Sequence, residues 1–473
     1  MRAFARVTPA LLERLASAVG AAHVRADAAA QERYGQDETE DLLYRPEAVV
    51  CPASTAEVSA VLALASAAGV PVTPRGAGSG LSGGALPVFG GLVLSLERMD
   101  RVLELDLDNR MVVVQPGVLT GEIHRRAAEH GLAYPPDPAS SAYCMIGGNL
   151  AENSGGPHAV KHGLTRDHVL ALEAVRMDGS VFRTGGKLKK DVAGYDLTHL
   201  LVGSEGTLAV ITEATLRLVP APRARRLVLA PFASLEAAAQ GIVAVYRSRV
   251  TPSALEIMER AAIEAAARHL GRSVPGQDAE ALLYVECDGM DEPTVEAEVQ
   301  VLGEVLLEAG AGDVLVAGTP QRAQELWGVR KAIGEAVRAI GPYVECDTSV
   351  PPTAVPRLIA GVREVARRHG VRLVAYGHAG DGNIHVNVFA GSAPREVLEA
   401  AIEGILRVAT GLGGTITGEH GVGCVAMRHL HLCRDPVALG LMRAIKQAFD
   451  PAGLLNPGKV LDEPIPAPAH LGA

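Results

Sequence analysis

Pro74-Arg75-Gly76-Ala77-Gly78-Ser79-Gly80-Leu81-Ser82-Gly83-Gly84 directly follows Val70-Pro71-Val72-Thr73, which reads as a short strand. Five glycines in eleven residues allow left-handed and tightly turned backbone, so several N–H groups can converge on one anion. Gly78-x-Gly80-x-x-Gly83 matches the dinucleotide-binding fingerprint literally, but that fingerprint requires a helix next. Here Pro87, Gly90 and Gly91 interrupt the chain and another strand begins. No Gly-Lys-Ser/Thr is present, which excludes the P-loop of nucleotide hydrolases. The stretch reads as an anion-binding loop outside both common classes, with a merely flexible loop as the alternative.

Upstream, Ser54-Thr55-Ala56-Glu57 forms a capping box in front of an Ala/Leu-rich helix that Gly69 stops. Thr8-Pro9 starts an earlier helix within a helical lead-in. Downstream, extended runs fall at 91–96, 102–107 and 111–115, a helix ends near Gly131, and Asp178-Gly179 joins two strands in a hairpin. Another extended run covers 207–218. Pro220-Ala221-Pro222 then breaks the pattern before Arg223-Ala224-Arg225-Arg226, read as a solvated linker at a domain boundary. Beyond it, long helices over 294–309 and Arg395–Gly411 mix with strands such as 282–287, an α+β pattern.

The 473 residues exceed one ordinary core, and a net charge of −10 argues against broad nucleic-acid binding. No run approaches the roughly 20 apolar residues of a membrane span, and Met1-Arg2-Ala3-Phe4-Ala5-Arg6 lacks a signal-peptide core. The expected location is therefore cytoplasmic. Six scattered cysteines without a Cys-x-x-Cys pair fit reduced thiols and exclude a resident iron–sulfur cluster of the usual spacing.

The second half carries Arg372-Leu373-Val374-Ala375-Tyr376-Gly377-His378-Ala379-Gly380-Asp381-Gly382-Asn383-Ile384-His385-Val386-Asn387-Val388-Phe389. Asp-Gly between two extended runs signals a two-residue hairpin loop. That register sets His378 directly opposite His385, on one face, with Cβ atoms about 4.5–5.5 Å apart. Two imidazoles so placed can hold one metal ion, or can simply be core histidines. Thr415-Ile416-Thr417 then leads into Gly418-Glu419-His420-Gly421-Val422-Gly423, which supplies a carboxylate and an imidazole on a glycine-framed turn. Two histidines and one carboxylate with an open position suit zinc or a similar divalent ion in a catalytic site. A turn that only caps a strand is the plainer reading of Glu419-His420.

Two further segments accompany the first glycine-rich loop. One runs from Pro135-Pro136-Asp137-Pro138-Ala139-Ser140-Ser141 to Ile146-Gly147-Gly148-Asn149-Leu150-Ala151-Glu152-Asn153-Ser154-Gly155-Gly156, and the other is Gly203-Ser204-Glu205-Gly206-Thr207-Leu208-Ala209-Val210-Ile211-Thr212. In this order and spacing they resemble the FAD-binding domain of the vanillyl-alcohol oxidase/PCMH flavoproteins. The resemblance is strongest to their glycolate oxidase D subunit, D-lactate dehydrogenase and D-2-hydroxyglutarate dehydrogenase branch, and it spans about 42 to 461.

The resemblance implies an α+β chain. A lead-in over 1–41 precedes a two-subdomain PCMH-type FAD-binding domain over 42–221, an α+β FAD-linked oxidase C-terminal domain over 222–461 that binds substrate and metal, and a tail over 462–473. Arg75, Gly76, Ala77, Gly78, Ser79, Gly80 and Leu81 would wrap the FAD pyrophosphate. Asp137, Ser140, Ser141, Gly147, Gly148, Asn149, Asn153 and Gly155 would line the flavin and ribityl chain. Glu205, Gly206 and Ile211 would meet the adenine–ribose side, and Asn456 of Asn456-Pro457-Gly458-Lys459 would return to the flavin. Met145 and Ala209 depart from the usual Thr and Gly. Ser79 stands where covalently flavinylated relatives carry His, so non-covalent FAD is expected.

The same resemblance assigns His378, His385 and Glu419 to a divalent metal, zinc first, His420 to proton abstraction, and Arg330 in Trp327-Gly328-Val329-Arg330 to the substrate carboxylate. The implied reaction is dehydrogenation of a small D-2-hydroxy acid to the 2-oxo acid. Electrons would pass to an external acceptor or to iron–sulfur and flavin partner subunits, with peripheral placement at a membrane through such partners. A non-catalytic flavin-binding subunit of a larger glycolate oxidase-type complex is the competing reading.

Overall fold

The capping signals of the sequence are the ones the backbone uses. Thr8 and Ser54 side chains accept the N–H groups of Leu11 and Glu57, opening helices Pro9–Val19 and Thr55–Ala68, and left-handed Gly69 closes the second. The structure, a computed structural model, describes residues 3–389, 391–461 and 463–469. It divides into two units. The first comprises the chain up to Gly155, Leu164–Pro220 and the chain from His420 onward; the second comprises Gly156–Gly163 and Ala221–Glu419.

In the first unit, a four-stranded sheet orders Val24–Arg25, Ala48–Val50, Leu92–Ser95 and Val72–Arg75, with its last three strands parallel. Helices Pro9–Val19 and Thr55–Ala68 bury Leu11, Leu15, Val58 and Leu62 against it. No helix follows the loop after Arg75, because Leu92–Ser95 is the next element. A five-stranded antiparallel sheet follows, ordered Val102–Asp106, Met111–Val114, Val210–Arg217, Val169–Val175 and Val181–Gly185.

The second unit is built on a seven-stranded antiparallel sheet. Its order is Leu315–Val316, Ala224–Phe232, Ala281–Gly289, Ala254–Glu259, Arg372–His378, Asn383–Phe389 and Val344–Ser349. The strand Ala281–Gly289 opens with a continuous apolar run, 281–285, because both of its faces are covered. Leu282 and Tyr284 join a core with helices Arg260–Leu270, Pro320–Lys331 and Ile333–Arg338, whereas Leu283 and Phe232 meet Gly241 of helix Leu235–Arg247. The run Arg223–Arg226 is not a free linker. Ala224, Arg225 and Arg226 begin strand Ala224–Phe232, paired along its whole length with Ala281–Gly289, and Arg226 faces Glu292 and Glu296.

The histidine hairpin forms, but with a different loop. His378 pairs with Asn383 and Tyr376 with His385, so residues 379–382 make a four-residue connection and the expected direct opposition of His378 and His385 is absent. A two-residue type I′ turn needs left-handed backbone at both central positions, and of the two only Gly382, at φ 84°, has it. Neighbouring groups explain why. Gly380 donates to the Leu255 carbonyl at 2.8 Å, the Tyr246 hydroxyl donates to the Gly380 carbonyl, and Asp381 Oδ1 accepts from the Asn383 N–H. These bonds draw residue 380 out of the ladder.

A side chain at Gly382 would place Cβ 1.8 Å from the Val350 carbonyl oxygen. Gly382→Ala is therefore expected to cost at least about 2 kcal/mol, from left-handed strain plus the clash. Denaturant unfolding of the purified protein measures it, and an unchanged midpoint would contradict this account of the loop.

Candidate functional site

Strand register gathers the polar chemistry of the second unit onto one face. Met258 pairs with Tyr376, Tyr376 with His385, and His385 with Asp347. Paired residues share a face, as do residues two apart along a strand. Glu256, His378, His385, Glu345 and Asp347 therefore project together from four neighbouring strands. The two histidines are diagonal neighbours, still within reach of each other, with ring centroids 5.4 Å apart.

Both rings turn the same way. Nε2 of His378 and Nε2 of His385 each lie 3.4 Å from Glu419 Oε1. Behind them, His378 Nδ1 lies 2.6 Å from Glu256 Oε1 and His385 Nδ1 lies 2.9 Å from Glu345 Oε1. At His378 this contact is a hydrogen bond, which sets the tautomer and directs Nε2 forward, the arrangement that supports a metal-ligating histidine; at His385 the carboxylate is an ion-pair neighbour. His378, His385 and Glu419 offer one ligand atom each, all within 4.8 Å of one another. This donor set fits a divalent ion with a position left open.

Glu419 is placed by Asp347. Asp347 Oδ2 accepts from Thr417 Oγ1 at 2.8 Å and from the Gly418 and Glu419 N–H groups at 2.9 Å, while Oδ1 accepts from Asn383 Nδ2 at 2.6 Å. Gly418 has to be glycine, because a Cβ there would sit 2.3 Å from Asn383 Nδ2.

The cluster is electrostatically self-compensating. Burial alone would push the His385 imidazolium down, yet Glu345 and Glu419 outweigh it and hold the ring up to about 10. Burial is likewise outweighed at His378, which Glu256 and Glu419 raise well above the ordinary histidine value. Against burial, His378 and His385 keep the Glu419 carboxyl well below the usual range. Arg330 also belongs here. Its Nε donates to Glu256 Oε2 at 2.8 Å, its Nη2 lies 2.6 Å from the same oxygen, and its guanidinium lies over the Tyr376 ring. His420 follows Glu419 directly and begins the segment that packs with the first unit.

Within the first unit, the first two glycine-rich loops meet, since a Cβ on Gly76 would lie 3.5 Å from the Gly148 nitrogen. Arg75 is buried and folds back over Gly78, where any Cβ would strike its guanidinium. Its Nη1 has no hydrogen-bond partner among the described residues, and a Cβ on Gly80 or Gly148 would meet open space. A buried cationic donor without a partner, beside glycines facing empty volume, fits a pyrophosphate-bearing cofactor.

Other residues assigned to the cofactor also hold the protein's own backbone. Asn149 accepts from Thr120 Oγ1, and Asn153 caps helix Ile146–Glu152 in left-handed conformation and accepts from the Arg166 N–H. Glu205 accepts the N–H groups of Val422 and Gly423 at 2.7 and 2.6 Å, and Asn456 Nδ2 donates to the Gly84 and Glu205 carbonyls. Gly147 packs on Pro116, and Ile211 joins the core of the five-stranded sheet.

Sequence reasoning missed Glu256 and Glu345, and it gave Asp347 no role. The signal was present. Glu345 and Asp347 are two apart on a strand, hence on one face, and Glu256 interrupts the apolar run Ala254-Leu255-Glu256-Ile257-Met258.

Residues 46–185 match the FAD binding domain family, and residues 221–460 match FAD linked oxidases, C-terminal domain. The chain is 39% identical over 431 residues to the glycolate oxidase subunit GlcD of Bacillus subtilis (strain 168), covering 90% of this chain and 91% of that one. It is 40% identical over 435 residues to a D-lactate dehydrogenase of Archaeoglobus fulgidus, covering 91% and 96%. With a D-2-hydroxyglutarate dehydrogenase of Xanthomonas citri pv. viticola it shares 34% over 456 residues, covering 95% and 96%. The structure of p-cresol methylhydroxylase with substrate bound aligns with a TM-score of 0.79 at 18% identity, over 97% of this chain and 99% of that one. 4-Ethylphenol oxidase from Gulosibacter chungangensis aligns at 0.77 and 20%, over 96% of each chain; both likenesses are of fold. Among the described residues no helix is long and apolar enough to cross a membrane.

Metal ligation requires neutral imidazoles, whereas the metal-free cluster holds His385 protonated up to about 10. A divalent ion taken up by this cluster near neutral pH would therefore displace protons, and its affinity would rise as pH rises toward that value. Without metal the sign reverses. The raised histidine values stabilise the fold fully below an unfolded pKa of about 6.5, and that contribution is lost as pH climbs through about 10. Calorimetry in two buffers of different ionisation enthalpy reads the proton release; identical heats would refute it.

Proposed function

Because the chain belongs to the FAD linked oxidases, in their glycolate, D-lactate and D-2-hydroxyglutarate dehydrogenase branch, we propose that it dehydrogenates a small D-2-hydroxy acid to the 2-oxo acid with the help of a divalent metal, zinc first. The observation that carries this reading is the convergence of His378 Nε2 and His385 Nε2 on Glu419 Oε1.

His378, His385 and Glu419 would hold the metal, and Arg75 with the loop 76–81 would hold the FAD pyrophosphate. When bound, FAD supplies the acceptor for the Cα hydride, and the metal supplies polarisation of the substrate hydroxyl. Arg330 binds the substrate carboxylate with the donors that Glu256 leaves over, a role suited to a planar guanidinium. His420 takes the hydroxyl proton as general base. Being next to Glu419 in the chain, it can serve separately from the ligand set. Electrons then leave to an external acceptor or partner subunits, in a cytoplasmic setting or at a membrane face through those partners.

The test is anaerobic flavin bleaching by glycolate, D-lactate and D-2-hydroxyglutarate, with bound metal measured on the same sample. Bleaching by at least one, lost on metal removal, is expected; failure with all three overturns the substrate class. His420→Ala should keep FAD and metal but lose turnover by roughly a hundredfold or more, and full activity would remove His420 from the mechanism. With Ser79 in place of a tethering histidine, acid precipitation should release the flavin into the supernatant. Yellow protein in the pellet would contradict non-covalent binding.

A further inference from the structure

Glu256 is wholly buried, on the strand Ala254–Glu259, between the apolar residues Leu255 and Ile257. Burying a carboxylate there is unfavourable unless it is fully paired, and this one divides its two oxygens between two partners. Oε2 accepts from Nε of Arg330 and lies 2.6 Å from its Nη2 as an ion pair, and Oε1 faces His378 Nδ1 at 2.6 Å. A carboxylate serving only as counter-ion to arginine favours the two-oxygen fork. Here the guanidinium keeps to one oxygen and the other is left to the imidazole. The arginine is held from a second side by the Tyr376 ring, 5.0 Å from its centre.

We propose that Glu256 is a positioning residue that fixes His378 for metal binding and, through the same rigid carboxylate, fixes Arg330. The proposal rests on His378 being a metal ligand, as in the reading above. Bonded at Nδ1, His378 keeps Nε2 directed at Glu419 Oε1. Without that bond the ring is free to rotate or to change tautomer, and the ligand set loses one preorganised member. Removing an outer carboxylate of this kind weakens metal binding by about 10–100-fold.

The test measures zinc affinity by chelator competition on the flavin-loaded protein, with FAD content and thermal unfolding as controls. Glu256→Gln keeps the side-chain volume but leaves Arg330 without its counter-charge. The double variant Glu256→Gln/Arg330→Gln removes both charges and supplies the measurement if the single variant folds poorly. Zinc binding weaker by about 10–100-fold in both variants is the expected result. Affinity equal to the parent in Glu256→Gln, or restored in the double variant, overturns the proposal, because the effect would then be that of a stranded arginine. His378→Ala separates this from failure of the metal reading: parent-like zinc binding in that variant sinks the metal site itself.

Discussion

The carboxylate of Asp347 is the point on which the second unit's site depends. It collects hydrogen bonds from Asn383, Thr417 and the Gly418 and Glu419 N–H groups. One residue of the edge strand Val344–Ser349 thus ties the histidine hairpin to the turn that presents Glu419. Bonds to an ionised acceptor are stronger than neutral ones, at about 1.5–3 kcal/mol each. Neither the hairpin nor the turn carries this geometry alone. The hairpin contributes a glycine-relaxed loop, and the turn is fastened mainly through Asp347 and the backbone bonds between Ser349 and Thr415.

Around that anchor, the sheet solves the problem of burying several charges together. Glu256, Glu345, Asp347 and Glu419 face His378, His385 and Arg330, and each carboxylate is opposed by a cation or by several donors. Isolated burial of any one of these groups would be prohibitive. Gathered against one face of four neighbouring strands, with Glu419 from a turn and Arg330 from helix Pro320–Lys331, they hold one another's ionisation states. The outcome is a preorganised cluster of donors in which Nε2 of both histidines converges on Glu419 Oε1 and His378 Nδ1 is held by Glu256.

The first unit relies on a different device. Its glycine-rich loops pack closely on their neighbours, and side chains from elsewhere in the unit fix their shape. Arg75 closes over Gly78, Glu205 holds the amides of Val422 and Gly423, and Asn456 bridges the Gly84 and Glu205 carbonyls. The C-terminal segment completes these loops, so residues more than two hundred positions apart cooperate within this one unit. Several side chains that sequence matching assigns to the cofactor thus have a second role that the fold requires whether or not FAD is bound.

Sequence by itself determined the local events. Caps at Thr8 and Ser54, the stop at Gly69, the absence of a helix after the Arg75 loop and the hairpin at Asp178-Gly179 all follow from neighbours within a few residues. Tertiary structure decided whatever a distant group could override. Arg223–Arg226 reads as a linker until Ala281–Gly289 supplies a pairing partner. Asp381-Gly382 reads as a two-residue turn until Leu255 and Tyr246 claim the backbone of Gly380. The carboxylates behind the histidines come from strands about 40 and 120 positions away. Turn and cap energies are set by local dihedrals, so sequence reports them; register and charge pairing depend on which strands become neighbours, and only the folded sheet specifies that.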